Sequence, residues 1–421
     1  MSDEREKLKV LVCAYACQPG GSLKWVGLGE LILGWNIVNQ LGRFHRIWVL
    51  THSQNRAGIE AALQKKILSN VHFYYIDLPA LFRPLLNFEG GIHLYAYLWQ
   101  IKAYFVSRKL HQKLHFDVFH HVTYANDWMA SFIGALLPIP YIRGPGGGAH
   151  CVPKGFFQEF SFREHFWDLL RAIGQWLFRH DIFFILGQRR ARAIMVCSRE
   201  SLGAIPEKWR QKTHLFPVNG ITRRDLTLLA PRKINSNKFR VFSVGKLIRI
   251  KAFNLAIKAF KIFADKVPEA ELTIIGDGPE LTRLKNLSSK LDLEKKVHFL
   301  GWLPREELLF KMPSFDVFLF PGLGGTVVME AMAAGKPVIC LDIASPGINV
   351  TNDCGIKIKP YSPDQVIKKM AEALERLYRD KELRLRLGNA ARIRVEREYR
   401  WDRLGERLLK IYQEVLRKNK A

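Results

Sequence analysis

The stretch Val317–Leu341, VFLFPGLGGTVVMEAMAAGKPVICL, carries the residues best spaced for chemistry. Pro321, Gly322, Gly324 and Gly325 stand between an apolar run, Val317–Phe320, and a segment of helical composition, Thr326–Ala334. A helix start offers unpaired N–H groups and a partial positive charge, and glycines let an anion approach that backbone closely. Gly324, Gly325 and Thr326 are therefore placed to cradle a phosphate. Glu330, about one helical turn further on, is within reach of a sugar hydroxyl on the same ligand. The pattern equally fits an ordinary βαβ turn with an exposed Glu. A second candidate is the strand Phe116–Thr123, which ends in His120 and His121. Open parallel sheets bind ligands beyond the carboxyl ends of their strands, so one imidazole is a candidate for a reaction centre; the alternative is a structural role. Asn126 and Asp127 follow in the same loop.

The elements that must position these residues alternate in type. Lys9–Tyr15 reads as a buried strand that runs into the Gly20-Gly21 turn and a helix over Trp25–Leu41, again a βαβ opening. Ile47–His52 and Val71–Leu78 are further strands, with helices over Gly58–Ile67 and Tyr95–Leu114. Pro140–His150, PYIRGPGGGAH, is a strand followed by a glycine-rich loop whose backbone other residues resist. Phe162–Arg192 mixes aromatics with arginines at helical spacing, which suits a membrane interface or a lipid-linked acceptor, or else a core helix with a solvated polar face. Ala193–Ser198 is a short strand, and Phe216–Gly220 closes the first domain. Lys233–Lys238 is polar, lacks periodicity and reads as a linker. Phe239–Gly245 starts a second α/β series, with strands at Ala270–Ile275, Val317–Phe320, Val338–Leu341 and Cys354–Ile358. Helices are expected over Asn254–Lys266, Pro363–Leu377 and Trp401–Leu416.

A chain of 421 residues, 48% hydrophobic and 25% charged, is long enough for two domains with full cores. The formal charge of +26 favours an anionic partner such as lipid headgroups, nucleic acid or acidic glycans, or else reflects a generally basic surface. Cysteines at 13, 17, 151, 197, 340 and 354 complete no zinc site and read mostly as buried free thiols in a reducing compartment. No signal peptide is legible, and no apolar run approaches the ~20 residues needed to span a bilayer. A cytoplasmic protein, peripheral on the membrane at most, is the expectation.

Taken together, SVGKL with a lysine beyond it, IGDGPE, VHFLGWLP and MEAMAAGKPVI resemble, in order and spacing, the donor half of retaining glycosyltransferases of the GT-B fold, in family four (glycosyl transferases group 1). GPGGGAH, Gly144–His150, resembles a segment of one subgroup of that family, with His150 where an acidic residue often stands. The resemblance implies two Rossmann-like α/β domains with parallel sheets facing an interdomain cleft. The expected divisions are an acceptor-binding domain over 1–232, a nucleotide-sugar domain over 239–398, and a C-terminal helix over 399–421 that crosses back to the first domain. Lys246 and Lys251, which stand for the family's Arg and Lys, would neutralise the departing diphosphate, and Ala252 replaces a glycine. Gly21, Gly276, Gly278, Pro279, Leu303, Gly324, Gly325, Thr326 and Val327 would line the donor, and Glu330 would hold its ribose. The family's first Glu, which contacts the donor sugar, is missing: its place falls on Gly322, and the loop is short by an Arg-Glu-Gly insert. His120 and His121 are the catalytic candidates of the first domain, and Arg143, Gly147, His150 and Asp127 its acceptor-side candidates.

The reaction implied is transfer of a hexose from a UDP- or GDP-sugar to a glycan or lipid-linked acceptor, with retention. No D-x-D motif is present, so neither a divalent metal nor another cofactor is expected. Each charged contact at such a site is worth ~2–4 kcal/mol in the transition state. A catalytically idle sugar-nucleotide-binding relative is the main alternative, because of the missing Glu. A nucleic-acid-binding protein lacks a recognisable module, so no nucleic acid partner is expected. A dinucleotide oxidoreductase lacks the G-x-G-x-x-G fingerprint.

Overall fold

The structure, a computed structural model, describes residues 7–20, 28–65, 68–87, 90–148, 162–232 and 237–417. They fall into two units: the described parts of 1–149, 161–219 and 404–417, and the described part of 220–403. Each unit is built on one parallel sheet.

The first sheet holds β1 (Lys9–Ala14), β2 (Arg46–His52), β3 (Val71–Ile76), β4 (Val118–Thr123), β5 (Tyr141–Gly146), β6 (Ala191–Val196) and β7 (Thr213–Leu215). Their spatial order is β3-β2-β1-β4-β5-β6-β7, all parallel. Parallel strands covered on both faces read as near-continuous apolar runs, as KVLVCA does. Alternate residues still part to opposite faces. Leu11, Cys13, Leu50 and Phe119 join one core with Tyr95, Trp99 and Ala103. These last three lie on α2 (Gly91–Leu114), while α1 (Leu28–Gly42) packs on β2 and β4. The Phe162–Arg192 stretch forms two helices, α3 (Phe162–Arg179) and α4 (Ile182–Arg190), and gives its last residues to β6. The break falls at Asp181, whose carboxylate caps α4 by accepting from the Phe183 N–H.

The second sheet holds β8 (Phe239–Val244), β9 (Ala270–Ile275), β10 (Val297–Gly301), β11 (Val317–Phe320), β12 (Val338–Leu341) and β13 (Gly355–Ile358) in the order β10-β9-β8-β11-β12-β13, again parallel. Its helices include α5 (Phe253–Ala264), α6 (Arg305–Lys311), α7 (Val327–Ala333), α8 (Pro363–Arg379) and α9 (Lys381–Arg394). Val241, Leu272, Ile274 and Leu319 face one core with α5 and α8; Phe242, Ile275, Phe318 and Phe320 face the other with Met329 and Met332 of α7. Helix α9, which the sequence pattern did not announce, has few buried residues, and Gly388 is among them. A methyl there would lie 2.1 Å from the Gly335 carbonyl oxygen, so only glycine permits that contact. After a π-helical turn, Val395–Tyr399, comes α10 (Trp401–Arg417), whose buried Tyr412 bonds to β4 of the first unit's sheet.

The chain enters the second unit at Gly220, ahead of the polar Lys233–Lys238 stretch, of which 233–236 lie outside the described residues. Ile221 pairs with the segment after α9: its N–H donates to Tyr399 O (2.9 Å) and its carbonyl accepts from Trp401 N–H (3.1 Å).

In both sheets the winding reverses beside the first strand, at β1/β4 and at β8/β11. At such a reversal the loops leave the carboxyl ends in opposite directions and open a crevice. In the second unit the rim of that crevice is laced by backbone bonds: Gly245 N–H to Ile275 O (3.0 Å), Leu247 N–H to Asp277 O (2.9 Å) and Gly276 N–H to Gly301 O (2.8 Å). Gly276, at φ 141°, lies so close that an added methyl would sit 2.0 Å from Gly245 O. Gly276→Ala is expected to destabilise the second unit by about 1–3 kcal/mol, read as a lower urea midpoint.

Candidate functional site

The loops that follow β8 and β11 meet at the second sheet's winding reversal. After β8 the chain runs through Gly245 and the exposed Lys246, makes a tight turn at Arg249–Lys251, and enters α5 through Ala252. Ala252 has φ 50°, the left-handed region that glycine occupies without strain. The glycine to which it corresponds in the resemblance therefore has a conformational reason, and alanine holds the turn at a cost of about 1–2 kcal/mol.

Lys251 is half-buried, and its ammonium donates to the carbonyls of Leu323 and, at 3.2 Å, Gly324. It lies 5.7 Å from the centroid of the Phe320 ring. Burial pushes its pKa down to about 8. The β11 loop leans on the same turn, with Leu323 N–H donating to Ile250 O (3.2 Å). Gly324 and Gly325 take φ of 63° and 132°, and Thr326 leads into α7. The structure thus brings Lys251, Gly324, Gly325 and Thr326 together. It also explains why Gly322 is a glycine: a Cβ there would lie 2.9 Å from Lys251 Cα and 3.0 Å from Lys251 O. No carboxylate side chain fits at that position with the loop in this path.

Gly276, Gly278 and the exposed Pro279 form the neighbouring rim. Gly278, at φ 156°, is held within 2.5 Å of Leu247 O by the measure of an added methyl. Leu303 packs on the core from the loop before α6. Two residues further on, Arg305 makes a contact that sequence reasoning missed. Its guanidinium bridges Asp225 Oδ1 (2.6 Å) and Glu330 Oε1 (2.8 Å). Glu330 is only 5% exposed. Burial, the leading cause, raises its pKa; the Arg305 charge opposes that rise and Asp225 adds to it. Asp225 is buried too, but the Arg305 hydrogen bond and charge outweigh burial and hold its carboxyl below the usual range. Glu330 is therefore not an exposed helix residue but a buried carboxylate fixed from two elements away.

In the first unit the predicted residues point inward. Strand alternation sends His120 and His121 to opposite faces, 0% and 1% exposed. His120 Nε2–H donates to Gly144 O (2.7 Å), and Nδ1 accepts from the Tyr412 hydroxyl (2.8 Å). His121 Nε2 lies 2.9 Å from the Gln100 amide nitrogen. Burial first, joined at His121 by the charges of Arg143 and His120, holds the two imidazoles down to about 4 and about 3. Both are neutral at ordinary pH, and they fasten neighbouring segments. Arg143, expected to contact an acceptor, is 1% exposed and pairs with Asp127 (2.9 Å) and Ala125 O (3.1 Å). Asp127 also accepts from Ser201, and its N–H donates to Gly147 O (3.1 Å). These two expected acceptor contacts therefore pair with one another inside the unit, and Gly147 accepts from the backbone of one of them. Gly21 and His150 lie outside the described residues.

The residue that does sit at the first sheet's winding reversal is Glu30, in the first turn of α1. Its carboxylate accepts from Tyr124 N–H (3.4 Å) beyond β4, and burial pushes its pKa up to about 7. A lone acid ahead of an apolar helix gave no sequence signal. Among the described residues, no group of three or more His, Cys, Asp or Glu is arranged to hold a metal ion.

Residues 227–394, which hold most of the second unit, match the family described as Glycosyl transferases group 1. An uncharacterized glycosyltransferase of Haemophilus influenzae is 30% identical over 235 residues, covering 52% of this chain and 64% of its own length. A GDP-mannose-dependent monoacylated alpha-(1-6)-phosphatidylinositol monomannoside mannosyltransferase of Corynebacterium glutamicum is 32% identical over 179 residues, 40% of this chain and 45% of its own. The chain thus spans between about half and two thirds of these relatives. Among solved structures, Anabaena HepE in complex with UDP superposes with a TM-score of 0.63 at 15% identity, covering 96% of this chain and 100% of that one. The fold is GT-B, and the relatives are glycosyltransferases.

Arg305→Met removes the cation that bridges two buried carboxylates. A stability loss of about 3–5 kcal/mol is expected at neutral pH. Without the guanidinium the Glu330 pKa rises further, and a raised carboxyl contributes stability only while protonated. The deficit should therefore shrink as pH falls, which denaturant titrations at two pH values will read.

Proposed function

We propose that this protein is a glycosyltransferase that moves a hexose from a UDP- or GDP-sugar to an acceptor with retention of configuration and without a divalent metal. The observation that carries this reading is the meeting of Lys251 with the Gly322–Thr326 loop at the winding reversal of the second sheet. A lysine ammonium held beside a glycine-opened helix start is preorganised for a diphosphate, and such preorganised charge acts most strongly where negative charge develops. Lys251 and Lys246 would counter the departing diphosphate, with N–H groups near Gly325, Thr326 and Val327. Glu330, oriented by Arg305, would accept from a ribose hydroxyl. Gly276, Gly278, Pro279 and Leu303 would receive the nucleoside. The acceptor, a glycan or lipid-linked precursor, would be held by the first unit, with Glu30 replacing His120 and His121 as its candidate acid–base group. The HepE complex with UDP and the GDP-mannose named for the Corynebacterium relative support the two nucleotide classes. The setting we infer is the cytoplasmic side of a membrane, in polysaccharide or surface-glycan synthesis.

One observation favours a second reading, a relative that binds the donor but transfers little. The packing of Gly322 against Lys251 leaves no room for the carboxylate that usually contacts the donor sugar. Release of the sugar from a bound donor, to water or to an acceptor, separates the two.

Lys251 gives the binding test its sign. Only the ammonium form attracts a diphosphate, and in the free protein it is lost as pH rises through about 8. UDP or GDP affinity, by calorimetry, should fall about tenfold per pH unit above that value. Lys251→Met should weaken binding about 10- to 100-fold at neutral pH and flatten the profile. Unchanged affinity in that variant would refute the site.

A further inference from the structure

We propose that the amino ends of β8, β11 and β12 hold a second oxyanion site, built from Arg240, Lys336 and Arg384 and suited to a phosphate group. The strand register assembles it. Val317 pairs with Val241 and Phe318 with Val338, so ahead of these pairs Asp316 stands between Arg240 on one side and Lys336 on the other. Backbone bonds fix the row: Asp316 N–H donates to Arg240 O (2.8 Å) and Phe318 N–H to Pro337 O (3.1 Å). Arg384 arrives from α9, its guanidinium 5.3 Å from the ring centroid of Phe239, the first residue of β8. The helix is held there because Gly388, one turn after Arg384, presses on the Gly335 carbonyl.

The charges there do not balance. Asp316 accepts from the Arg240 backbone N–H (2.8 Å) and lies 3.7 Å from Arg240 Nε. That Nε is buried and has no hydrogen-bond partner among the described residues. Lys336 is half-buried, and the charges that act on its ammonium are Asp316, which favours it, and Arg240 and Arg384, which oppose it. Burial, the largest effect, pushes its pKa down to about 8. Glu382, the acid in the first turn of α9, is exposed and is not among those charges. Nor is Lys336 needed to close α7, where the Ala333 carbonyl accepts from Arg392 (2.7 Å). Three cations against one carboxylate that is already engaged leave a surplus, which a phosphate dianion matches and a chloride does not. Partly buried charge is tolerated when it is paired and hydrogen-bonded, and phosphate oxygens accept from both guanidinium and ammonium donors. The site lies at the amino ends of the strands and the donor site at their carboxyl ends, so its test does not depend on the transfer reading.

The test is thermal unfolding of the full chain at neutral pH while inorganic phosphate replaces sodium chloride at constant ionic strength. The wild-type melting temperature should rise with phosphate and level off. Lys336→Met should need about tenfold more phosphate for the same rise, and Arg384→Gln, on a separate element, several-fold more. Lys251→Met, which alters the donor loop, should keep the response. In chloride alone Lys336→Met should melt no lower than wild type, since it removes a cation that burial disfavours. A wild type that phosphate stabilises no more than chloride, or an unchanged response in Lys336→Met or Arg384→Gln, overturns the proposal. So does a response lost in Lys251→Met and kept in Lys336→Met, which would put the phosphate in the donor loop. A Lys336→Met protein markedly less stable than wild type in chloride also overturns it, because Asp316 would then already satisfy the lysine.

Discussion

The ammonium of Lys251, bound to the carbonyls of Leu323 and Gly324, ties the loop after β8 to the loop after β11. Most features of the candidate site follow from that tie. The β11 loop is drawn onto the Arg249–Lys251 turn, which leaves Gly322 no space for a side chain. The turn must leave through a left-handed residue, filled here by Ala252. The cost of the tie is desolvation of a cation, visible as the lowered pKa of Lys251. A buried ammonium that has exchanged water for backbone carbonyls is incompletely neutralised, and a phosphate oxygen would complete it.

A second constraint works at the other end of the site. Glu330 is buried in α7 and would be costly to ionise alone. Arg305, from α6, makes its charge tolerable and shares itself with Asp225, which also caps the short helix after Thr222. Position and protonation of Glu330 therefore depend on residues that touch no ligand in the proposed reading. The first unit uses the same economy differently. There Arg143 with Asp127 and His120 with Tyr412 close on themselves, leaving Glu30 as a raised-pKa carboxyl at the winding reversal.

Much of the fold was legible because parallel strands buried on both faces leave unbroken apolar runs such as VFLF and VICL, and because the loops beyond them need glycine. The Lys251–glycine loop pairing was reachable only through a resemblance, since 72 residues separate Lys251 from Leu323. Arg305 was not legible at all: its partners lie 80 and 25 positions away, and a lone arginine after Leu-Pro has no local signature. One of His120 and His121 is expected from its place at a strand end to face a ligand, with a structural role as the alternative, but burial on both faces of β4 encloses each of them. Periodicity detected α3 without telling core from surface, because period fixes which residues share a face and not where that face points.

In the proposed reading a nucleotide-sugar's diphosphate takes over the Lys251 ammonium at the β8/β11 reversal. A crystal structure of the protein with a bound UDP- or GDP-sugar tests it most directly. Phosphate oxygens are expected within hydrogen-bond distance of Lys251 Nζ and of an N–H in the Gly325–Val327 turn, with a ribose hydroxyl on Glu330. Donor density elsewhere, with Lys251 still bound to the carbonyls of Leu323 and Gly324, would contradict it.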